Sequence, residues 1–75
     1  MKAFAEIVKG KYRHFKGSFY EVICLARHSE TLEDLVVFKA LYGDQAVWVR
    51  PTRVFSEIVE VGGKRMPRYE LVEKY

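Results

Sequence analysis

The 75-residue sequence has one cysteine, two prolines and no asparagine. A lone cysteine excludes an intramolecular disulfide and suits a reducing compartment better than an oxidising one. No stretch approaches the roughly 20 apolar residues that a membrane-spanning helix needs. The first apolar run is short and is interrupted by Glu6, which is not typical of a signal peptide. We therefore expect a cytoplasmic protein without a membrane span.

The composition is that of one small folded domain. Hydrophobic residues make up 49% of the chain and aromatic residues 15%, which is enough for a single core. Because a chain of this length buries only about 60% of its unfolded surface, its stability margin is narrow. The net charge of +3 favours an anionic partner only weakly. We expect a single domain over residues 10–75, preceded by an N-terminal extension over residues 1–9.

Short runs of β-branched and aromatic residues, separated by glycine, proline or polar turns, predict five or six strands. The clearest runs are Phe19–Arg27, Leu35–Tyr42, Ala46–Val49 and Ile58–Val61. So many short strands in one small domain favour an all-β fold, a small SH3-like barrel that hides its sheet edges. The sequence also predicts one helical turn over Pro51–Phe55 and a tight hairpin turn at Gly62–Gly63.

A two-residue turn at Gly43-Asp44 predicts the register of the hairpin around it. In that register Lys39 lies opposite Trp48, and Phe38 lies opposite Val49. One face is then apolar and faces the core, with Phe38, Ala40, Tyr42, Val47 and Val49. The other face carries the exposed triplet Lys39, Trp48 and Arg50. A slip of one residue would turn Trp48 inward.

A loop at Lys16–Ser18 would similarly pair His14 with Tyr20. The residues that then share one face are Tyr12, His14, Tyr20, Val22, Cys24 and Ala26. With apolar neighbours on both sides and no predicted cation beside it, Cys24 is interpreted as an unreactive core residue.

Catalytic and metal sites are not favoured. Cys24 and His28 are four residues apart on one predicted strand, about 13 Å, which is too far to share a metal ion. Ser29 stands between His28 and Glu30, but adjacent residues rarely face one another, so a hydrogen-bonded polar turn is the simpler interpretation. We expect no metal and no cofactor. Catalysis is left open, with a non-catalytic role favoured.

Several motifs in order resemble a family of small bacterial proteins known only as a domain of unknown function. These motifs are GKYRHFKGSFYEV, ARHSET, FKALYG, WVRP and VFSEIVEV, and they span most of the chain from Gly10 to Tyr69. The resemblance implies a short bacterial β-rich domain. It implies no activity and no functional residue.

The function class that the residues favour is a binding module for a protein or peptide partner. Exposed tryptophan and arginine are the residue types that dominate such interfaces. The alternative is single-stranded nucleic-acid binding through a basic and aromatic face, since Lys9–Lys16 contains four cations and no acid. The oligomeric state stays open. The candidate binding residues are Trp48, Arg50, Lys39, Arg13, Arg27, His28 and Ser29.

Overall fold

The computed structural model describes residues 7–75, which form seven strands and one helical turn. The elements are β1 (Gly10–His14), β2 (Phe19–Arg27), β3 (Asp34–Ala40), β4 (Val47–Pro51), α1 (Thr52–Phe55), β5 (Ile58–Val61), β6 (Lys64–Pro67) and β7 (Tyr69–Lys74). Residues 1–6 of the expected N-terminal extension lie outside the described residues. Ile7 packs against the core, and the Tyr12 hydroxyl donates to the Val8 carbonyl at 2.8 Å.

The strands form a five-stranded antiparallel sheet in the order β4-β3-β2-β1-β7 and a separate β5-β6 hairpin. The all-β class is therefore confirmed, as is the helical turn. Within residues 7–75, however, the sheets do not close into a barrel, so β4 and β7 remain edge strands. The chain leaves β4 at Pro51, which has no amide hydrogen, and enters α1 directly. This turn leads the following hairpin into its own sheet.

The core lies on one face of the five-stranded sheet, which we call the inner face. Tyr12, Val22, Val36 and Phe38 point to this side and are at most 6% exposed. α1 packs Phe55 against them, and Tyr69 of β7 completes the cluster. The opposite side of the sheet is called the outer face.

The predicted register between β3 and β4 is wrong by one residue. Phe38 lies opposite Trp48, and Lys39 lies opposite Val47. The connecting loop is one residue longer than a two-residue turn allows, because Gln45 adopts a left-handed φ of 55° after Gly43-Asp44. The slip turns Trp48 to the inner face. Val47 and Val49, which were expected in the core, are instead 56% and 57% exposed.

The first hairpin keeps its predicted faces up to Val22 but not beyond. Tyr12 pairs with Tyr20, two residues from the predicted register, so the same side chains still share a face. The register against β3 then shifts between Val22 and Cys24, which pairs with Val37 on the outer face. The interpretation of Cys24 as a core residue is wrong, because this bulge leaves its side chain exposed.

The glycine turn between β5 and β6 is confirmed. Gly62 and Gly63 have φ values of 58° and 82°, and the strands on either side pair directly. Two consecutive positive φ angles are the requirement of a type I′ hairpin turn, which glycine meets without strain.

Candidate binding site

A cavity of about 480 Å³ opens on the inner face beside the edge strand β4. Inner-facing side chains of neighbouring strands meet there, because Phe38 of β3 lies opposite Trp48 of β4. The volume falls within the range of pockets that hold small organic groups. We call this cavity the aromatic pocket, and its lining residues are Tyr20, Phe38, Tyr42, Trp48, Val49, Arg50 and Tyr69.

The floor of the pocket is a rigid cluster of buried rings. Phe38 and Tyr69 are 3% and 7% exposed, and Phe55 stacks on Tyr69 with ring centres 4.1 Å apart. Tyr20 meets the rings of Phe38 and Tyr69 edge-on, each at 5.5 Å. Such offset and edge contacts fix ring orientation in addition to burying apolar area. The floor is therefore formed before any ligand arrives.

The rim is aromatic but open to solvent. Trp48 is 56% exposed and Tyr42 is 51% exposed. The hydroxyl groups of Tyr42 and Tyr20 are hydrogen-bonded at 2.8 Å, which holds the rim to the floor. Burial and this hydrogen bond raise the pKa of Tyr20 to about 12, so its phenol is uncharged at neutral pH.

Of the residues that the structure describes, Arg50 is the one charged residue that lines the aromatic pocket. Burial raises the pKa of Tyr69, and the nearby Arg50 guanidinium partly opposes that shift. At the same end of the sheet, burial lowers the pKa of His14, and Arg68, Lys16 and Arg50 add to the effect by charge repulsion. The pocket therefore combines flat apolar surfaces with a positive potential. It suits an aromatic group next to an anion that pairs with Arg50.

The comparisons with known proteins identify the family. Residues 10–71 match the family described as "Protein of unknown function (DUF1653)". The chain belongs to this family. The resemblance inferred from the motifs is thereby confirmed. The structure is also similar to the crystal structure of a DUF1653 protein from Bordetella bronchiseptica, with a TM-score of 0.86 and 35% identity over 97% of this chain and 96% of that one. No curated protein matches the chain.

The DUF1653 fold brings only two of the predicted site residues together. Trp48 and Arg50 both line the aromatic pocket. Lys39, predicted beside them, points to the outer face and lies 3.7 Å from Glu21. The expected triplet does not exist because its register was wrong. Arg13 is also on the outer face, where it lies opposite Glu70 of β7.

The remaining candidates belong to the turn between β2 and β3 and do not line the pocket. Arg27 lies 3.5 Å from Asp34. His28 accepts hydrogen bonds at Nδ1 from the backbone amides of Glu30 and Thr31, at 3.1 and 3.3 Å. Ser29 is exposed within this turn. The predicted hydrogen-bonded polar turn is confirmed for Thr31, whose hydroxyl accepts from the Glu33 amide at 3.2 Å, and the two His28 bonds add to it.

Most of the residues that line the pocket are not among the predicted site residues. The predicted registers put Phe38 and Tyr42 on a core face and Tyr20 on a face shared with His14, and they leave Tyr69 outside any strand. The alternation of Tyr69 with Leu71 was a signal for β7, because apolar residues two apart indicate one face of a strand. The other signal was the high share of aromatic residues, several of which now surround one cavity.

Between residues 7 and 75, no cluster of three or more His, Cys, Asp or Glu side chains is arranged to hold a metal ion. In the same part of the chain, no helix is long and apolar enough to cross a membrane.

Proposed function

We propose that this DUF1653 protein is a non-catalytic binding module that engages a protein or peptide partner at the aromatic pocket. The observation that carries the proposal is Trp48, which is more than half exposed above a floor of buried rings and beside Arg50. An exposed tryptophan with a neighbouring arginine is a typical anchor of protein interfaces. The preformed floor supports the same view, since little side-chain freedom is lost on binding.

Single-stranded nucleic acid is the second candidate, because Arg50 beside flat rings suits a base and a phosphate. The outer face does not extend this site. Its cations in β1 lie opposite acids, with Lys11 opposite Glu21 and Glu73, and Arg13 opposite Glu70. A basic groove along the strand path is what unspecific single-strand binders use. Two of the four cations in the run that suggested nucleic acid, Lys11 and Arg13, thus lie opposite acids on neighbouring strands, which weakens the basic face and favours the peptide.

Selection from a random 12-residue peptide library displayed on phage tests the proposal. Affinities of the selected peptides are then measured by quenching of Trp48, the only tryptophan, and by calorimetry. Trp48→Ala is expected to weaken binding at least tenfold. The matched control Ile58→Ala removes an equally exposed apolar side chain in β5 and should leave affinity unchanged.

The same measurements with a 12-nucleotide oligo(dT) separate the two candidates. Binding that rests on phosphates falls steeply between 50 and 500 mM salt, whereas an apolar peptide anchor is nearly insensitive to salt. If oligo(dT) binds in a salt-sensitive way that depends on Trp48, and the library yields no binding peptide, the pocket is a nucleic-acid site. Peptides that bind equally well to Trp48→Ala would contradict the pocket as the site.

We place this module in the cytoplasm. The support is Cys24, the only cysteine, whose thiol is exposed on the outer face. An exposed free thiol persists most readily where the environment is reducing.

A further inference from the structure

The edge strand β4 is unusually open to a further strand. Its first three residues, Val47, Trp48 and Val49, are uncharged and more than half exposed. The other edge, β7, carries Glu70 and Glu73, the kind of charge that discourages edge-to-edge pairing. Within the described residues, β4 pairs only with β3. The aromatic pocket therefore opens beside the less protected edge of the sheet.

The backbone of β4 offers a complete set of hydrogen-bonding groups at this edge. The Ala40 amide donates to the Ala46 carbonyl at 3.0 Å, and the same register continues to Phe38 opposite Trp48. Because hydrogen-bonded pairs alternate in an antiparallel ladder, the amide and carbonyl of Trp48 face β3. Those of Val47 and Val49 consequently face outward, where they provide two donors and two acceptors.

A strand added to β4 would extend the inner face of the sheet beside the aromatic pocket. Its inner-facing side chains would stand beside Trp48 and Arg50, which are two residues apart on the same face of β4. Cross-strand pairs favour an aromatic ring beside an aromatic ring and an opposite charge beside a charge. The side chain beside Arg50 is therefore expected to be a carboxylate.

We propose that the partner is an extended peptide segment that adds to β4 as an antiparallel strand, with an aromatic side chain beside Trp48 and Asp or Glu beside Arg50. Every strand pair within residues 7–75 is antiparallel, and this arrangement is the more stable per residue. From its N-terminus, the sequence motif expected in the partner is Asp or Glu, then any residue, then an aromatic residue. The inference rests on the proposed function and specifies the ligand and its binding mode.

Charge decides between this partner and a second copy of the chain. Among the described residues, Arg50 is the only charged side chain that lines the pocket, so the site favours a negatively charged group. β4 itself, Val47–Pro51, contains no acidic residue, so a second β4 could not supply the carboxylate. An acidic peptide supplies the charge that the site lacks.

The test uses the peptide TVTETFTVT, whose Glu and Phe lie two apart and so share one face of a strand. The control TVTEFTTVT has the same composition but places them on opposite faces. We expect the first peptide to shift the amide resonances of Val47 and Val49 and to bind at least tenfold more tightly than the control. Arg50→Gln should reduce this difference, whereas Arg65→Gln, in β6 and outside the pocket, should not.

Peptides that are N-methylated on the backbone test the hydrogen bonds to β4 without changing the protein. N-methyl groups on the two threonines flanking Phe would block the amides that face Val47 and Val49, so binding should be lost. N-methyl groups on Glu and Phe point away from β4 and should be tolerated. Equal binding of both methylated forms would overturn strand addition while leaving the Trp48-dependent peptides of the library selection, and hence the proposed function, intact.

Two further outcomes would also overturn the inference. One is the absence of amide shifts at millimolar TVTETFTVT. The other is a concentration-dependent dimer, seen by sedimentation, that Val49→Pro dissociates. Proline at this position removes an amide that faces outward, and an edge strand tolerates it there because no strand of the same chain needs that amide. That dimer would assign the β4 edge to a second copy. Failure of the library selection as well would remove the proposed function together with the inference.

Discussion

At the scale of single residues, Gly10 lies where the backbone of β1 comes close to β7. A Cβ at this position would overlap the Glu73 carbonyl oxygen and would lie 3.0 Å from Leu71 Cδ1. Because the overlapping atom belongs to the backbone of a paired strand, it cannot move without disturbing the ladder. Gly10→Ala should lower the free energy of unfolding by about 1–3 kcal/mol. Urea unfolding followed by Trp48 fluorescence measures this, and exposed Lys9→Ala is the control. Equal midpoints for both variants would contradict the packing argument.

His14 is expected to make the protein less stable at mildly acidic pH than at neutral pH. Burial, followed by repulsion from Arg68, Lys16 and Arg50, lowers its pKa below the ordinary 6.5. As the pH drops below about 6.5, His14 is protonated more readily in the unfolded chain than in the folded protein. The free energy of unfolding therefore falls. The loss stops once the pH passes below the folded-state pKa, where both states are protonated.

Unfolding free energies from urea titrations at pH 7.5, 6.5 and 5.5 check this. His14→Gln is expected to flatten the decline. The control is His28→Gln, which removes the other histidine, located in the turn between β2 and β3. A decline that is the same in the wild type and in His14→Gln would assign the pH dependence to other groups.

Two residues explain why the faces of the strands could not all be predicted. Gln45 adopts a left-handed backbone without being glycine, so nothing in its identity reveals the longer loop. Ile23 is a typical strand former, yet the bulge occurs beside it. Each event changes the face of every following side chain, since the strand period is two. Propensity therefore predicted the strands, but not the sides that Trp48 and Cys24 face.

At the scale of elements, α1 is a single helical turn that provides one core side chain. Phe55 is 2% exposed and contacts the rings of Tyr12, Phe38 and Tyr69. Phe55→Ala should lower the free energy of unfolding by about 3–5 kcal/mol, the range for deleting a buried phenylalanine. Trp48→Ala, at an exposed edge position, should lower it by well under half of that. Circular dichroism in urea compares the two variants, and similar losses would contradict this description of the core.

The elements also show which parts of the fold follow from sequence. The ends of β2 and β5 agree with the predicted runs, because these are uninterrupted apolar or alternating segments between clear turns. β7 does not stand out in the sequence because three of its six residues, Glu70, Glu73 and Lys74, are charged. The closed barrel was wrong for a different reason. Whether β4 pairs with a distant strand depends on the path after Pro51, which local propensity does not determine.

At the scale of the whole molecule, the outer face is a balanced array of charge. Lys11, Arg13 and Lys39 are the cations, and each lies opposite an acid on a neighbouring strand. The acids are Glu21, Glu70 and Glu73. The net charge of +3 is consequently not concentrated on this face. Exposed opposite charges on neighbouring strands contribute little to stability, so their main effect is on the electrostatic field that a partner meets.

Removing the three acids of the outer face should make its electrostatic potential strongly positive. The triple variant Glu21→Gln, Glu70→Gln and Glu73→Gln leaves three cations on one face without opposing charge. We expect its affinity for oligo(dT) at 50 mM salt to rise at least tenfold over the wild type. Its logarithmic salt dependence should also steepen, by about 0.7 for each additional phosphate neutralised on a single strand. Fluorescence anisotropy of a labelled 20-nucleotide oligo(dT) measures both quantities.

The matched control carries the same net charge in a different arrangement. Glu30→Gln, Asp44→Asn and Glu60→Gln remove three exposed acids that lie in turns and in β5, away from the outer face. If the arrangement matters, this control gains much less affinity than the outer-face variant, because counterion release needs cations close enough to meet successive phosphates. Equal gains would mean that net charge alone governs the binding. In that case cross-strand neutralisation would no longer be a reason to prefer a peptide over a nucleic acid at the aromatic pocket.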